Sequence, residues 1–248
     1  MKRLRGFTLV EFFIVIGIIG TLFVVGVGFY VNQQKAKMFG CGNSVTFTYK
    51  GSTVTYGTVE SQGECWLDRN LGASRVATAY NDSQAYGDLF QWGRLDDGHQ
   101  DRSSATTTAT SSTDDPGHSN FIYGMGDPYD WRDPQNDNLW QGNGAINDPC
   151  PPGWRVPTSA EWDTEQVSCP SRNYNGAFDS PLKLTAAGLR VHSGAEDFGV
   201  VWAVGGGGHY WSSSVVGTSA YYLIFTSGAL HMYISHRASG MSVRCIKN

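Results

Sequence analysis

A single carboxylate within a long apolar run is the feature that most constrains this chain. The run extends from Phe7 to Val31, and Glu11 is its only charged residue. An ionised side chain costs roughly 2.5–3.5 kcal/mol near the centre of a bilayer, and less near the end of a segment. Because the charge is unfavourable in apolar surroundings, we expect a specific partner to make Glu11 useful.

The residues before Glu11 form a short basic arm, Lys2-Arg3-Leu4-Arg5, that ends in Gly6. About 25 apolar-rich residues follow, enough to span a bilayer at about 1.5 Å per residue. A secretory signal peptide would have a shorter apolar core with a small-residue cleavage site after it, and no Ala-x-Ala site follows the run. The basic arm predicts a cytoplasmic N-terminus. A simple signal anchor is the plainer alternative, but it gives Glu11 no role.

The basic arm, Gly6, Phe7 and Glu11 together resemble the leader of type IV pilins and pseudopilins. The resemblance implies that a prepilin peptidase cuts after Gly6 and that Phe7 is then methylated on its amine. It also implies that Glu11 meets the N-terminal amine of a neighbouring subunit. An unpaired charge in an apolar bundle is costly, so such a pair would select one axial register. Residues 1–6 are then the leader, and 7–38 a transmembrane or filament-core helix.

Composition limits the kinds of domain that the residues after the apolar run can form. The net charge is -4, only 16% of residues are charged, and the chain has 31 glycines and eight tryptophans. No basic patch with interleaved aromatic residues occurs, so nucleic-acid binding is not predicted. About 210 residues follow the apolar run, enough for one substantial domain or two small ones. The composition favours an extracellular, loop-rich domain with an aromatic core.

The five cysteines predict disulfides but not their pairing. They are Cys41, Cys65, Cys150, Cys169 and Cys245. None of their spacings is that of a zinc site or a redox pair. Export would make disulfides the default. Two bridges can form among five cysteines in about fifteen ways, with one thiol left over.

Local patterns predict several elements. Alternation of apolar and polar residues predicts strands over 45–49 and 53–59, joined by a turn at Lys50-Gly51-Ser52. A short helix is expected within 83–92, and another starting with Thr158 or Ser159 as its cap. Residues 96–119 are rich in Ser, Thr and Asp and predict an exposed low-complexity insertion. Late strands are predicted over 200–204, 209–213, 220–225, 230–234 and 242–246.

Several segments of the head, residues 39–248, are similar to the Fibrobacter succinogenes major paralogous domain. They are 56–59, 66–73, 86–94, 147–158, 210–213 and 242–247. The resemblance implies a C-type-lectin-like fold with twisted antiparallel sheets, two short helices and long loops. With the N-terminal helix, this gives an α+β fold class. It further implies that Cys150 pairs with Cys245 and Cys41 with Cys65, which leaves Cys169 spare.

Metal binding is left open by the sequence. Sugar-binding members of the wider fold hold calcium with a Glu-Pro-Asn or Gln-Pro-Asp loop and a Trp-Asn-Asp strand, and neither motif occurs. Calcium prefers several oxygen ligands, but no defined loop spacing matches the acidic residues Asp96, Asp97, Asp114, Asp115, Asp127, Asp130, Asp133 and Asp137. No cofactor is predicted, and calcium is the candidate metal. The six histidines lack metal-ligand spacing and are expected at the surface.

An enzymatic interpretation is the third alternative. Residues 155–162 and 243–245 resemble parts of the formylglycine-generating enzyme family, whose chemistry needs an available cysteine pair to bind copper. A disulfide between Cys150 and Cys245 would remove one such thiol. We therefore predict that the chain is not an enzyme, and keep a membrane-anchored surface enzyme as the alternative.

A cluster of aromatic and small polar residues near the C-terminus is the candidate ligand-binding face. It consists of Tyr221, Tyr222, His231, Tyr233, Ser235 and His236. Tyrosine is favoured in binding surfaces because it gives a large contact area at low entropic cost. The plainer interpretation is that alternate residues of these strands are simply buried.

The function predicted from these patterns is a minor or specialised type IV pilin-like subunit. It would assemble with other pilin subunits and display its head for adhesion to an extracellular protein or glycan. It would lie in the inner (cytoplasmic) membrane before assembly and then on the pilus, with the head extracellular or periplasmic. The main alternative is a type II secretion-type pseudopilin whose head contacts only other subunits.

Overall fold

The computed structural model describes residues 41–124, 126–192 and 199–248, together with Ile14, Ile18 and Thr21. Those three residues are helical, and the Thr21 hydroxyl donates to the Ile18 carbonyl at 2.9 Å. Ile14 and Ile18 are 56% and 53% exposed, so the head does not cover them. The predicted site residues Gly6, Phe7 and Glu11 lie outside the described residues.

Short strands make up most of the regular structure. In chain order they are β1 (Val45–Tyr49), β2 (Ser52–Tyr56), β3 (Thr58–Ser61), β4 (Glu64–Leu67), β5 (Phe90–Gln91), β6 (Thr106–Thr107), β7 (Phe121–Ile122), β8 (Trp154–Arg155), β9 (Leu189–Arg190), β10 (Val201–Trp202), β11 (Gly208–Val216), β12 (Ser219–Phe225), β13 (Leu230–His236), β14 (Gly240–Met241) and β15 (Ile246–Lys247). Within the described ranges there are two α-helices, α1 (Ser159–Glu165) and α2 (Tyr174–Asp179). Turns of 3₁₀ helix cover Ser83–Ala85 and Gln166–Ser168.

The α+β fold class with a long N-terminal helix, predicted from the sequence, is wrong. The described chain is mostly β-sheet, and its two α-helices have only seven and six residues. None of the helical stretches in the described part has both the length and the apolar character needed to traverse a bilayer. The predicted class counted the apolar run at 7–31 as a long helix beside the head. The described head is built from short strands and loops.

The described strands form five small sheets, and the C-terminal strands β14 and β15 lie within two of them. Two have four strands, in the orders β10-β9-β14-β5 and β3-β4-β15-β8, and one has three, in the order β11-β12-β13. The remaining two are the β1-β2 hairpin and the parallel pair β6-β7. Because β14 and β15 occupy inner positions, the last ten residues join segments from both halves of the head.

The first hairpin confirms the turn predicted at Lys50-Gly51-Ser52. Lys50 has a φ of 50° and Gly51 a φ of 73°, and β1 pairs with β2 directly on either side of them. Two consecutive left-handed residues match the right-handed twist of the flanking strands in a type I′ turn.

Helix α1 begins where its capping residues predict. The Thr158 hydroxyl accepts from the Glu161 N–H at 3.2 Å, and a Glu161 carboxylate oxygen accepts from the Thr158 N–H at 2.7 Å. This reciprocal capping box satisfies donors that a helix start leaves unpaired. Inside the helix, Trp162 is buried and its indole N–H donates to the Trp211 carbonyl at 3.0 Å. The helix is thereby fixed to β11.

The core is aromatic, as the composition predicts. Six tryptophans are almost fully buried: Trp66, Trp92, Trp131, Trp140, Trp162 and Trp211. Trp66 and Trp162 pack with ring centroids 5.1 Å apart beneath the three-stranded sheet. Trp92 and Trp140 pack 5.8 Å apart in a second cluster. Much of that cluster lies in a mostly irregular region, residues 86–124 and 126–148, called here the loop layer.

The loop layer differs from the two local predictions made for it. Within 83–92 only Ser83–Ala85 is helical, although Tyr86, Leu89, Phe90 and Trp92 are buried as expected. The segment at 96–119 is not exposed throughout, because His99 and Gln100 are fully buried. Long-range hydrogen bonds, which composition does not reveal, hold this segment.

Both disulfides expected from the domain resemblance are present. Cys41 is bonded to Cys65 and Cys150 to Cys245, with Cα–Cα distances of 5.5 and 5.8 Å. Cys169 is free and half-buried, and burial raises the pKa of its thiol to about 11. The second bridge joins Cys150, just after the loop layer, to the residues just before β15.

Candidate functional site

The predicted ligand-face residues lie in one sheet but not on one face of it. Tyr222 lies opposite Tyr233, whereas Tyr221 lies opposite Ile234. Opposite residues share a face, and successive residues of a strand point to opposite faces. Tyr221 is therefore on the other face from Tyr222, and the set does not form a single surface.

The face that carries Tyr222 and Tyr233 is a row of rings that becomes more exposed toward the sheet edge. Tyr222 is only 7% exposed, stacks on His209 at 5.8 Å and meets the edge of Trp211 at 5.9 Å. Tyr233 is 58% exposed, with its ring 6.2 Å from Tyr222 and 6.1 Å from His231. Burial raises the pKa of Tyr222 to about 12. Tyr233 and the exposed His231 thus project into solvent above the buried rings of Tyr222 and Trp211.

At the end of β13, His236 enters a cluster of three rings. Its ring centroid is 4.9 Å from His192 and 5.1 Å from Tyr129, and His192 is 5.4 Å from Tyr129. All three residues are half-buried. Burial, with the neighbouring His236, lowers the pKa of His192 to about 4. At neutral pH, His192 therefore packs as an uncharged ring.

Hydrogen bonds join this ring cluster to two serines and a loop. The Nδ1 atom of His192 lies 2.7 Å from the Ser239 hydroxyl, which is 3.1 Å from the Ser235 hydroxyl. The Nδ1 of His236 lies 3.1 Å from the Pro128 carbonyl. A carbonyl oxygen can only accept, so this His236 nitrogen carries the hydrogen. The His236 ring is thus held against the loop layer at Pro128, while the Ser235 hydroxyl bonds to Ser239.

A polar pocket of about 240 Å³ opens beside the ring cluster. Thr110, Gly124, Gly126, Asp127, Pro128, Asp130, Arg132, Asp133 and Gln135 line it. Because Pro128 both lines the pocket and accepts from His236, the pocket is continuous with the end of β13. Its carboxylates can accept hydrogen bonds from the hydroxyl or ammonium groups of a ligand.

Asp130 is the most buried acid of the pocket. One carboxylate oxygen accepts from the Gln135 amide at 2.8 Å, and the other from the Arg132 N–H at 3.2 Å. The Arg237 guanidinium lies 3.9 Å from Asp130. Burial raises the pKa of Asp130 despite these contacts. Arg132 in turn is paired with Asp114 at 2.7 Å. The pocket lining therefore has three aspartates and a single arginine that is already paired.

The aspartates considered for calcium are divided among separate roles. Asp97 pairs with Arg94, and Asp137 with Arg237, at 2.7 and 2.6 Å. Among the described residues, no group of three or more His, Cys, Asp or Glu side chains could hold a metal ion. The expectation that each histidine is at the surface is wrong for His99 and His209, which are buried.

The copper-type cysteine pair of the enzymatic alternative does not form around Cys245, since this residue is bonded to Cys150. Arg155 and Glu161 lie in one of the two segments that resemble formylglycine-generating enzymes. Here they form an ion pair at 2.5 Å that supports the start of α1. Their contacts are thus explained by packing and capping.

Sequence patterns missed the partners that complete this region, namely Tyr129, His192, Ser239 and Gln135. Tyr129 and Gln135 lie in one irregular stretch, whereas His192 and Ser239 come from two distant segments. Only the clustering of aspartates between 127 and 133 gave a local signal, and the sequence analysis considered those residues only as metal ligands.

Comparisons with known proteins do not assign the site. No protein-family model, curated protein or solved structure matches the chain. The functional argument therefore rests on the chain's own residues.

Proposed function

We propose that this chain is a type IV pilin-like subunit that displays its β-rich head outside the cell. The single observation that carries the proposal is the sequence Lys2-Arg3-Leu4-Arg5-Gly6-Phe7 followed by Glu11 within an apolar run. In the proposal, a prepilin peptidase cuts after Gly6, Phe7 is methylated, and Glu11 pairs with the new amine of a neighbouring subunit. The chain is held at the cytoplasmic membrane until it assembles.

Two further observations support this proposal. Two disulfides in the head fit a protein that matures in an oxidising compartment. Ile14 and Ile18 occupy neighbouring positions of a helix and are more than half exposed. Apolar side chains that the head leaves uncovered are available to other subunits.

The head would bind its extracellular partner through the exposed rings of Tyr233 and His231. Tyrosine combines a large apolar surface with a polar end, which suits both protein and glycan partners. The adjoining acidic pocket would add hydrogen-bond acceptors for hydroxyl or ammonium groups. The ligand class is therefore a neutral or cationic surface group rather than an acidic one.

A secretion-type pseudopilin with a purely structural head is the second candidate. The uncharged outer strand β13, with sequence LHMYISH, favours this alternative because it suits contact with another subunit.

Exchange of Glu11 tests the assembly role. Glu11→Ala should abolish recovery of the chain in sheared surface filaments, because the register-setting charge is lost. The matched control, Thr8→Ala, changes a small polar residue in the same segment and should assemble normally. Unimpaired assembly of Glu11→Ala would contradict the proposal. Equal loss in both variants would also contradict a specific role for the charge.

A further inference from the structure

Strand β13 is an edge strand whose outer side is open. It lies at the end of the sheet order β11-β12-β13. Among the described residues, the backbone groups of residues 230–235 pair only with β12. Tyr233 is 58% exposed on one face and Ile234 is 46% exposed on the other. An exposed edge of this kind is a template for another strand.

Two other edge strands of the head contain charged residues, whereas β13 does not. Strand β3, at the edge of its sheet, has the exposed charge of Glu60. Strand β8, at the opposite edge of that sheet, has Arg155 paired with Glu161. The seven residues of β13 include no Asp, Glu, Lys, Arg or Pro. Charges and prolines are the usual means of preventing edge pairing, and β13 lacks them.

The sequence of β13 is complementary to itself in the antiparallel direction. When two copies are centred on Tyr233, this residue faces its own counterpart, His231 faces Ser235, and Met232 faces Ile234. One face then has an aromatic pair flanked by polar pairs, and the other has Met232–Ile234 pairs at its centre and Leu230–His236 pairs at its ends. Cross-strand aromatic and apolar pairs stabilise sheets, and no like charges oppose each other.

We propose that β13 pairs with β13 of a second copy of this chain, in antiparallel register about Tyr233. The contact is isologous, because the same strand contributes from both subunits. It converts two three-stranded sheets into one of six strands and brings the two exposed Tyr233 rings side by side. The paired residues all lie in the head, and the closeness of the two copies rests on the proposed function as a membrane-held subunit.

The size of the contact determines where it forms. Seven paired residues span about 23 Å, and one strand edge buries less than the roughly 1,200 Å² of a stable interface. Pairing is therefore weak between free molecules. It becomes favourable where copies are held close together, since a high effective concentration replaces the missing area.

Cysteine cross-linking of the full chain in membranes tests both the pairing and its register. Directly opposed residues lie about 4.5–5.5 Å apart at Cα, within the reach of a disulfide, about 4.4–6.8 Å. In a Cys169→Ser background, Tyr233→Cys should give a disulfide-linked dimer on mild oxidation. The control Val167→Cys, which is 76% exposed on the 3₁₀ turn, should not.

Two further variants keep Tyr233 and test the register. His231→Cys alone and Ser235→Cys alone should stay monomeric, because each cysteine would lie about 13 Å from its own counterpart. Mixing the two should give the dimer. Absence of both the Tyr233→Cys dimer and the mixed dimer overturns the proposal. Dimers of His231→Cys alone, or equal cross-linking at Val167→Cys, overturn it too.

The Glu11→Ala variant separates this inference from the assembly proposal. With Tyr233→Cys, it should retain the cross-linked dimer even where filaments are lost. A dimer that disappears with Glu11→Ala would show that the contact exists only as a product of assembly and would overturn the independent role of β13.

Discussion

The loop layer and the three-stranded sheet both bury aromatic rings, but different hydrogen bonds hold them. In the sheet, β12 pairs with β13 along the whole of both strands, and backbone groups of one strand bond to those of the other. In the loop layer, buried side chains replace these backbone partners. The Gln91 amide donates to the carbonyls of Ile122 and Ala238 at 2.6 and 2.8 Å and accepts from the Ile122 N–H.

An arginine side chain also donates hydrogen bonds to backbone carbonyls in the loop layer. The fully buried Arg94 donates to the carbonyls of Asn120 and His118 at 2.9 and 2.8 Å, and to Asp97 at 2.7 Å. Buried backbone carbonyls need partners whether or not a strand supplies them. The comparison indicates that loops can be ordered as firmly as strands, provided that each such side chain remains. A single substitution should therefore affect the two regions very differently.

Loss of Arg94 should have the largest effect. Arg94→Met keeps much of the volume but removes the charged partner of Asp97 and the donor to the His118 and Asn120 carbonyls. Removing one member of a buried pair typically costs about 3–5 kcal/mol. Urea unfolding of wild type and variant measures the change. Arg75→Met is the control, because the Arg75 side chain is 47% exposed beside Asp82, and its variant should unfold close to wild type. Equal midpoints for the two variants would contradict the role given to Arg94.

The two disulfides should differ in their effect on stability. The Cys150–Cys245 bridge closes 95 residues and Cys41–Cys65 closes 24. Chain-entropy arguments assign about 4.7 kcal/mol to a loop of about 100 residues and about 3 kcal/mol to one of about 15. Paired Cys→Ala variants should therefore lower Tm more for the first bridge. A larger loss of Tm on removing Cys41–Cys65 would show that contacts other than the disulfide hold Cys150 beside the residues before β15.

Acid should weaken the loop layer through His99. This ring is fully buried, its Nε2 accepts from the Gln91 N–H at 2.9 Å, and burial lowers its pKa from 6.5 to about 4. The unfolded chain binds the proton more readily, so this contribution to stability is complete above pH 6.5 and is lost as the pH falls toward 4. The loss amounts to about 3 kcal/mol. The pH dependence of unfolding should be shallower in His99→Gln over this window, and an unchanged slope would exclude this origin.

Tyr233 should have the smallest effect on stability and a large effect on binding. Tyr233→Ala removes an exposed ring at the edge of the sheet, so its free energy of unfolding should stay within about 0.5 kcal/mol of wild type. Binding of assembled filaments to glycan and protein arrays should be lost. The control Trp202→Ala removes another ring, 51% exposed on β10, and should bind normally. Retained binding by Tyr233→Ala would exclude this face.

Sequence patterns predicted the sheet region far better than the loop layer. The turn at Lys50-Gly51, the cap at Thr158 and the first four late strands each depend on neighbours in the sequence, and each occurs near its predicted place. The fifth strand, expected over 242–246, is wrong, because 243–245 are irregular and the short strands β14 and β15 lie on either side of them. Both disulfides followed from the resemblance of the head to a known domain.

The loop layer was less predictable because its bonds are distant in sequence. Arg94 reaches His118 and Asn120, while Gln91 reaches Ala238. No periodicity marks such residues, and the Ser, Thr and Asp content of 96–119 resembles that of an exposed linker. The ring cluster of Tyr129, His192 and His236 was missed for the same reason. The fold class was wrong because it combined the head with a long N-terminal helix, whereas the described chain is built from short strands and two short α-helices.

The mass of the mature N-terminus tests the central claim most directly. Mass spectrometry of the chain recovered from the cell surface should find Phe7 as the first residue, with one methyl group on its amine and residues 1–6 removed. A surface chain that retains Met1 and the basic arm would contradict the account, as would cleavage at a site other than the Gly6–Phe7 bond.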